Sequence, residues 1–205
     1  MFRITRAFIL AAIALPALVF SQSDATVSSE PAETDTLELR KPRTWALSAE
    51  IGVNSLGSLL GPVGTWYVFP HCALDMGVGL SSAGLRPGLR ARYLFSLEKT
   101  AFFAGLGLKY TLGTDGEYVK VQDPDTKQDL EIQIDGSGYA DASMGVEYLA
   151  DNGFLVIANA GYSQLLGGQN YHYRPGSTVS DKSEKFYKTI LGSGVMLSVS
   201  LGKAF

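Results

Sequence analysis

From Thr44 to Phe205 the chain alternates apolar residues with small or polar ones at a period of two, the spacing of strands rather than helices. All 23 glycines of the 205-residue chain lie in this stretch. Glycine inside a strand marks tight curvature or close approach of another backbone. No apolar run of 18 or more residues occurs, so no helix here can span a bilayer. The pattern leaves an all-β fold of one domain.

Eight strands are predicted. They cover about 44–55, 60–69, 72–81, 85–96, 101–113, 138–149, 154–165 and 190–205. In the first, Trp45, Leu47, Ala49, Ile51 and Val53 share one face, and Ser48, Glu50, Gly52 and Asn54 the other. The second is apolar on both faces. Pro87 lacks an amide hydrogen, so a bulge is expected in the fourth.

A soluble sandwich would also alternate, and two features decide against it. Connections at 70–71, 97–100 and 150–153 are short, whereas those at 114–137 and 166–189 run to about 24 residues and fall on the opposite side. Aromatic residues also sort by strand end. Trp45, Trp66, Tyr67, Phe69, Tyr93, Phe95, Phe102, Phe103, Tyr148, Phe154 and Phe205 gather at the short-turn end, and Tyr110 and Tyr162 at the other. No backbone polar group can face lipid unpaired, so such a sheet must close on itself. The expected fold is an eight-stranded antiparallel up-and-down transmembrane β-barrel over residues 44–205, with both chain ends in the periplasm.

Residues 1–21 read as a cleaved signal peptide: Arg3 and Arg6, then a 14-residue apolar run from Ala7 to Phe20, then small residues. Residues 22–43, rich in Ser, Thr, Glu and Pro, read as a disordered periplasmic linker. Without residues 1–21 the balance is 17 − 2 = 15 basic against 20 acidic residues, or −5, which speaks against a nucleic-acid partner. Cys72 is the single cysteine, so no intrachain disulfide forms.

The last strand resembles the C-terminal assembly signal of bacterial outer-membrane barrels, with Leu197, Val199, Leu201 and Phe205 in the matching positions. Strand number and loop pattern are similar to the OmpA/OmpX-type eight-stranded class. The resemblance implies the bacterial outer membrane, its lipid as surroundings and the β-barrel assembly machinery as partner. That class hosts structural, adhesive and lipid-modifying members, so fold alone does not set function.

The inward positions carry four acids, Glu50, Asp75, Asp141 and Glu147, and four bases, Arg86, Arg90, Arg92 and Lys109. Eight strands leave an interior that side chains just fill, so these charges must pair. Arg86, Arg90 and Arg92 are expected to face Asp75 and Lys109, with Glu50 and Glu147 reaching across. The network reads as a plug; a narrow pore lined by the same groups is the alternative. A lipid-modifying enzyme ranks third, since only His172 with Ser177 or Ser180 offers a base and nucleophile. No catalytic set, cofactor site or metal site is assigned, the two histidines lying in distant loops. Alternation at 117–122 and 129–135 predicts a hairpin protruding beyond the membrane, and Tyr171, Tyr173, Phe186 and Tyr187 are read as a similar pairing. Loops 114–137 and 166–189 could thus meet an extracellular partner by edge addition.

Overall fold

The computed structural model describes residues 43–205 apart from 82, 124 and 178. The expected signal peptide and the linker up to residue 42 lie outside the described residues. Arg43 donates hydrogen bonds to the carbonyls of Ala150 (2.9 Å) and Asp151.

The elements are β1 (Trp45–Val53), β2 (Gly61–Phe69), β3 (Cys72–Ser81), β4 (Gly84–Leu94), β5 (Thr100–Thr111), β6 (Val119–Gln122), β7 (Asp129–Ile134), β8 (Ser137–Leu149), β9 (Phe154–Leu166), β10 (Tyr171–Tyr173), α1 (Asp181–Leu191) and β11 (Gly194–Ala204). Eight of the strands form a closed barrel in the order β1-β11-β9-β8-β5-β4-β3-β2. Closure runs from Ala46 opposite Ala204 to Val53 opposite Leu197. The remaining three make a small sheet, β10-β7-β6, in the long-loop half.

The barrel is inside-out. Leu106 and Met144 are each 70% exposed on the outer wall, while Glu50 and Asp75 are fully buried within. An apolar wall of this extent suits an apolar solvent and would be a liability in water. The barrel strands, 9 to 13 residues long, meet or exceed the roughly 9–11 residues that a tilted membrane-spanning strand needs. At the short-turn end Trp45 stacks on its cross-strand partner Trp66 (5.6 Å), and Tyr93 meets Phe95 edge-on (5.7 Å).

Three expectations need correction. Tyr67 and Phe103 stand at the short-turn end but point inward, because they share parity with Thr65 and Ala101. Pro87 produces no bulge against β3, whose register with β4 is unbroken from Cys72 to Ser81. The missing amide falls on the β5 side, where the ladder stops at Gly88 and resumes with Leu112 donating to Leu85. The irregularity lies instead between Tyr67 and Phe69 of β2. Finally, the last strand begins at Gly194, not 190, because residues 181–191 are helical.

The helix has its own local causes. The Ser180 side chain caps it by accepting from the Ser183 amide, Asp181 and Glu184 occupy the first turn, and Lys188 the last. Ser183, Tyr187 and Leu191 are buried at intervals of four. The expected hairpin is present as β6 and β7, paired from Val119–Ile132 to Gln122–Asp129. Its partner is β10, not a second hairpin: Tyr173 meets Tyr187 across the helix packing (6.3 Å). Leu130, Ile132, Ile134, Tyr171, Tyr187 and Leu191 close a second apolar core. The two long loops therefore fold together as one ordered β–α cap.

Candidate functional site

The lumen is filled in layers. At the short-turn end an apolar layer, including Tyr67, Leu94, Phe103, Leu149, Leu155 and Ile157, occupies the barrel interior. Next comes the ion-pair layer. Arg92 donates to both oxygens of Asp75 (2.7 and 2.9 Å) and to Glu147 (2.5 Å), with its guanidinium 4.9 Å over the Phe103 ring. Arg90 donates to Asp75 (2.8 Å) and reaches Glu50 (3.2 Å). Thr65 donates to Asp75, Ser200 to Glu50 and Tyr67 to Glu147. Since β1 and β8 do not border β4, these guanidinium bridges cross the lumen.

Closer to the long loops, Lys109 donates to both oxygens of Asp141 (2.8 and 2.9 Å) and to the Asn54 carbonyl. Arg86 departs from expectation. Its rung in β4 is opposite Gly79, four residues beyond the Asp75–Arg90 rung, so Asp75 does not reach it. Its Nε donates to Thr111 (2.7 Å), its guanidinium lies 5.0 Å over the Tyr139 ring, and no carboxylate comes within ion-pair distance among the described residues. All eight predicted charges are thus inside the barrel, and seven join carboxylate–cation pairs.

Sequence reasoning missed the loop between β1 and β2. It folds inward: Ser55, Leu56, Gly57 and Ser58 are buried. The Gly57 amide donates to Glu50 (2.8 Å), and the Asn54 carbonyl takes the Lys109 bond. Room for this plug comes from inward glycines. A Cβ on Gly88 would sit 2.7 Å from Leu56 Cδ1, and one on Gly79 would sit 2.3 Å from the Gly57 carbonyl. Asn54 and Ser58, both at φ 52°, give the reversal. The signal available was the inward run Gly77, Gly79, Gly88, Gly105 and Gly107, which leaves a gap in an interior that must be filled.

One prediction follows from that contact. Gly79→Val should expel residues 55–58 from the lumen, because a backbone carbonyl cannot yield as a side-chain tip can. The check is thiol labelling of a Ser55→Cys reporter, with Cys72 first replaced by serine. Labelling in the Gly79→Val background should become fast, and equal rates in both backgrounds would contradict the plug.

The proposed base and nucleophile do not meet. His172 Nε2 lies 2.8 Å from Asp135, and the Ser180 hydroxyl is engaged with Ser183 at the helix cap. Ser177 makes a backbone turn with Arg174.

The cap is tied down at two points. Tyr139, whose ring faces Arg86 and Lys109 within the barrel, donates to the Leu191 carbonyl at the helix end (2.6 Å). Asn170 donates to both groups (2.9 and 3.1 Å). At the far tip, Asp123 accepts from the amides of Asp125 and Thr126 and from Ser183 at the helix start. Burial pushes the Asp123 carboxyl up, but these hydrogen bonds outweigh it and hold it below the usual value of 3.8. A depressed folded value means the contribution is complete above about pH 4 and fades as pH falls through the folded value. Asp123→Ala, which removes the accepting oxygen, is therefore expected to speed amide exchange at Ser183 and Glu184 at neutral pH. Wild type should show the same loosening only in acid; equal exchange in both proteins at pH 7 would contradict the tether.

No protein-family model matches the chain, and no curated protein does. Among solved structures, the chain is similar to the N-terminal β-barrel domain of Pseudomonas aeruginosa OprF, at 12% identity over 80% of this chain and 98% of that one, with a TM-score of 0.49. It is also similar to Acinetobacter baumannii CarO, at 10% identity over 81% and 99% of the two chains, with a TM-score of 0.35. The strand ladders establish the closed barrel independently of either likeness.

Proposed function

We propose that this chain is a bacterial outer-membrane barrel with a closed lumen, and that its role is structural or one of surface interaction, exercised through the β–α cap. The observation that carries this reading is the pair of arginines bridging the lumen, between an apolar layer on one side and the inward loop on the other. Solute passage would require breaking buried ion pairs, which are costly to open one partner at a time. In this reading the short turns lie in the periplasm and the cap faces outward, where its sheet edges and tyrosines can meet a partner. Leu197, Val199, Leu201 and Phe205 would serve recognition by the β-barrel assembly machinery, and the outer wall would meet membrane lipid.

A narrow pore is the second reading, and one observation favours it. Arg90 Nη1, both amide atoms of Asn159 and the hydroxyls of Ser163 and Ser198 are buried without a partner among the described residues. Buried polar groups of this kind are commonly satisfied by water, which would set water along the β9–β11 wall.

The membrane-barrel reading is tested on refolded protein in detergent gels. Unheated protein should migrate apart from heated protein, and protease should leave a fragment of about 44–205. Identical migration with no protected fragment would end this reading.

A further inference from the structure

A cleft of about 510 Å³ lies between the end of β9 and α1, within the roughly 300–1,000 Å³ typical of small-ligand sites. It lies at the rim of the barrel wall rather than in the ion-pair layer. Tyr162 and Gln164, which line one side, have the outward parity of β9 and are exposed. Glu184 and Lys188, four residues apart on α1, line the other. Gly167 and Gly168 leave the edge open, with nothing within 4 Å of an added Cβ at either.

The groups around the cleft are unevenly committed. Gln164 and Gln169 each place one amide hydrogen on a carbonyl, of Leu165 and Tyr171 respectively, which leaves each side chain one hydrogen to donate and its oxygen to accept. Asn170 uses both its hydrogens, toward Tyr139 and Leu191, and its buried Oδ1 meets no donor among the described residues. A buried acceptor left bare is a standing cost. Ser193 accepts from the Leu165 amide, so its hydroxyl hydrogen is available to donate. The lining thus offers several acceptors, several donors and two tyrosine rings, of which Tyr162 is the exposed one.

This inventory selects a ligand class. One lysine balanced by one glutamate is a poor site for phosphate, which recruits clustered guanidinium and ammonium groups. A single aliphatic liner, Leu165, is a poor site for an acyl chain. The geometry points to a binding site for a neutral, hydroxyl-rich sugar, with Tyr162 as the ring it rests on and the amide oxygens, Glu184, Lys188 and Ser193 as its polar partners. Such a sugar arrives either as the headgroup of a glycolipid beside the barrel or free from the medium. The glycolipid source rests on the outer-membrane reading above; the chemistry of the cleft does not.

The test uses the full chain after signal removal, refolded in detergent micelles, with amide shifts of Gly167, Gly168 and Lys188 as readout. The probes are a neutral hexose oligosaccharide and inorganic phosphate. A second arm places the protein in vesicles with and without lipopolysaccharide. Saturable shifts with oligosaccharide but not phosphate are expected, and Gly168→Trp should abolish them by filling the cleft while Gly168→Ala retains them. Saturation in micelles assigns recognition to the sugar itself; saturation only in lipopolysaccharide vesicles assigns it to the membrane-held form. No saturation in either arm, equal response to phosphate, or unchanged binding by Gly168→Trp overturns the site. Heat-modifiable migration of the same samples reports on the barrel separately, so loss of the sugar site and loss of the membrane reading are distinguishable.

Discussion

Arg92→Met is expected to destabilise the barrel by about 3–5 kcal/mol, the usual cost of stripping one partner from a buried ion pair. Asp75 and Glu147 are fully buried and both depend on this guanidinium, and Phe103 loses the cation over its ring. Methionine keeps most of the volume, so the loss comes from Glu147 losing its guanidinium and Asp75 being left with one of its two, Arg90, rather than from a cavity. The measurement is the urea midpoint of refolding into detergent micelles, compared at constant slope. Adding Asp75→Asn and Glu147→Gln to Arg92→Met should recover most of the loss, since neutral groups are cheaper to bury than unpaired charges. A loss below about 1 kcal/mol is what a solvated pair would give, and would mean the layer is wet.

Glu50→Ala is expected to cost about 2–4 kcal/mol and to release the inward loop. This one carboxylate accepts from Arg90 of β4, Ser200 of β11 and the Gly57 amide. Arg90 keeps Asp75 as a partner at 2.8 Å, which is why the cost falls below that for Arg92. The Gly57 amide has no such fallback, so its hydrogen exchange should accelerate in Glu50→Ala and recover in Glu50→Gln, whose amide oxygen can still accept. Glu50→Ala and Arg92→Met should not add. Arg90 and Asp75 link the two sites, and coupling of about 0.5–3 kcal/mol is typical within such a network. Strict additivity would mean that the two halves of the layer are independent.

The barrel was legible because period-two alternation fixes which side chains face in. Glu50 of β1 and Arg92 of β4 stand on the inward parity that alternation assigned them. What alternation does not fix is which inward groups meet. That depends on register, which is why Arg86 was assigned to Asp75 although its rung is opposite Gly79. The inward loop was illegible for a related reason. "NSLGS" at 54–58 reads as an ordinary turn, and only the gap left by facing glycines shows that Leu56 belongs inside. The helix was a misreading of a signal that was present. Ile190 and Leu191 read as the start of the last strand, yet Ser180, Asp181 and Glu184 form a capped helix start, with Ser183, Tyr187 and Leu191 at intervals of four. Two alternating tyrosines at 171 and 173 pulled the reading toward strands, and half of it was strand: β10 pairs with β7.

A membrane barrel whose lumen is closed by ion pairs and an inward loop should not conduct. Single-channel recording of the refolded protein in planar bilayers, with Arg90→Ala alongside, should show insertion without steady conductance for the wild-type chain. A steady wild-type conductance that changes in Arg90→Ala would contradict that closure and make the charged layer a pathway.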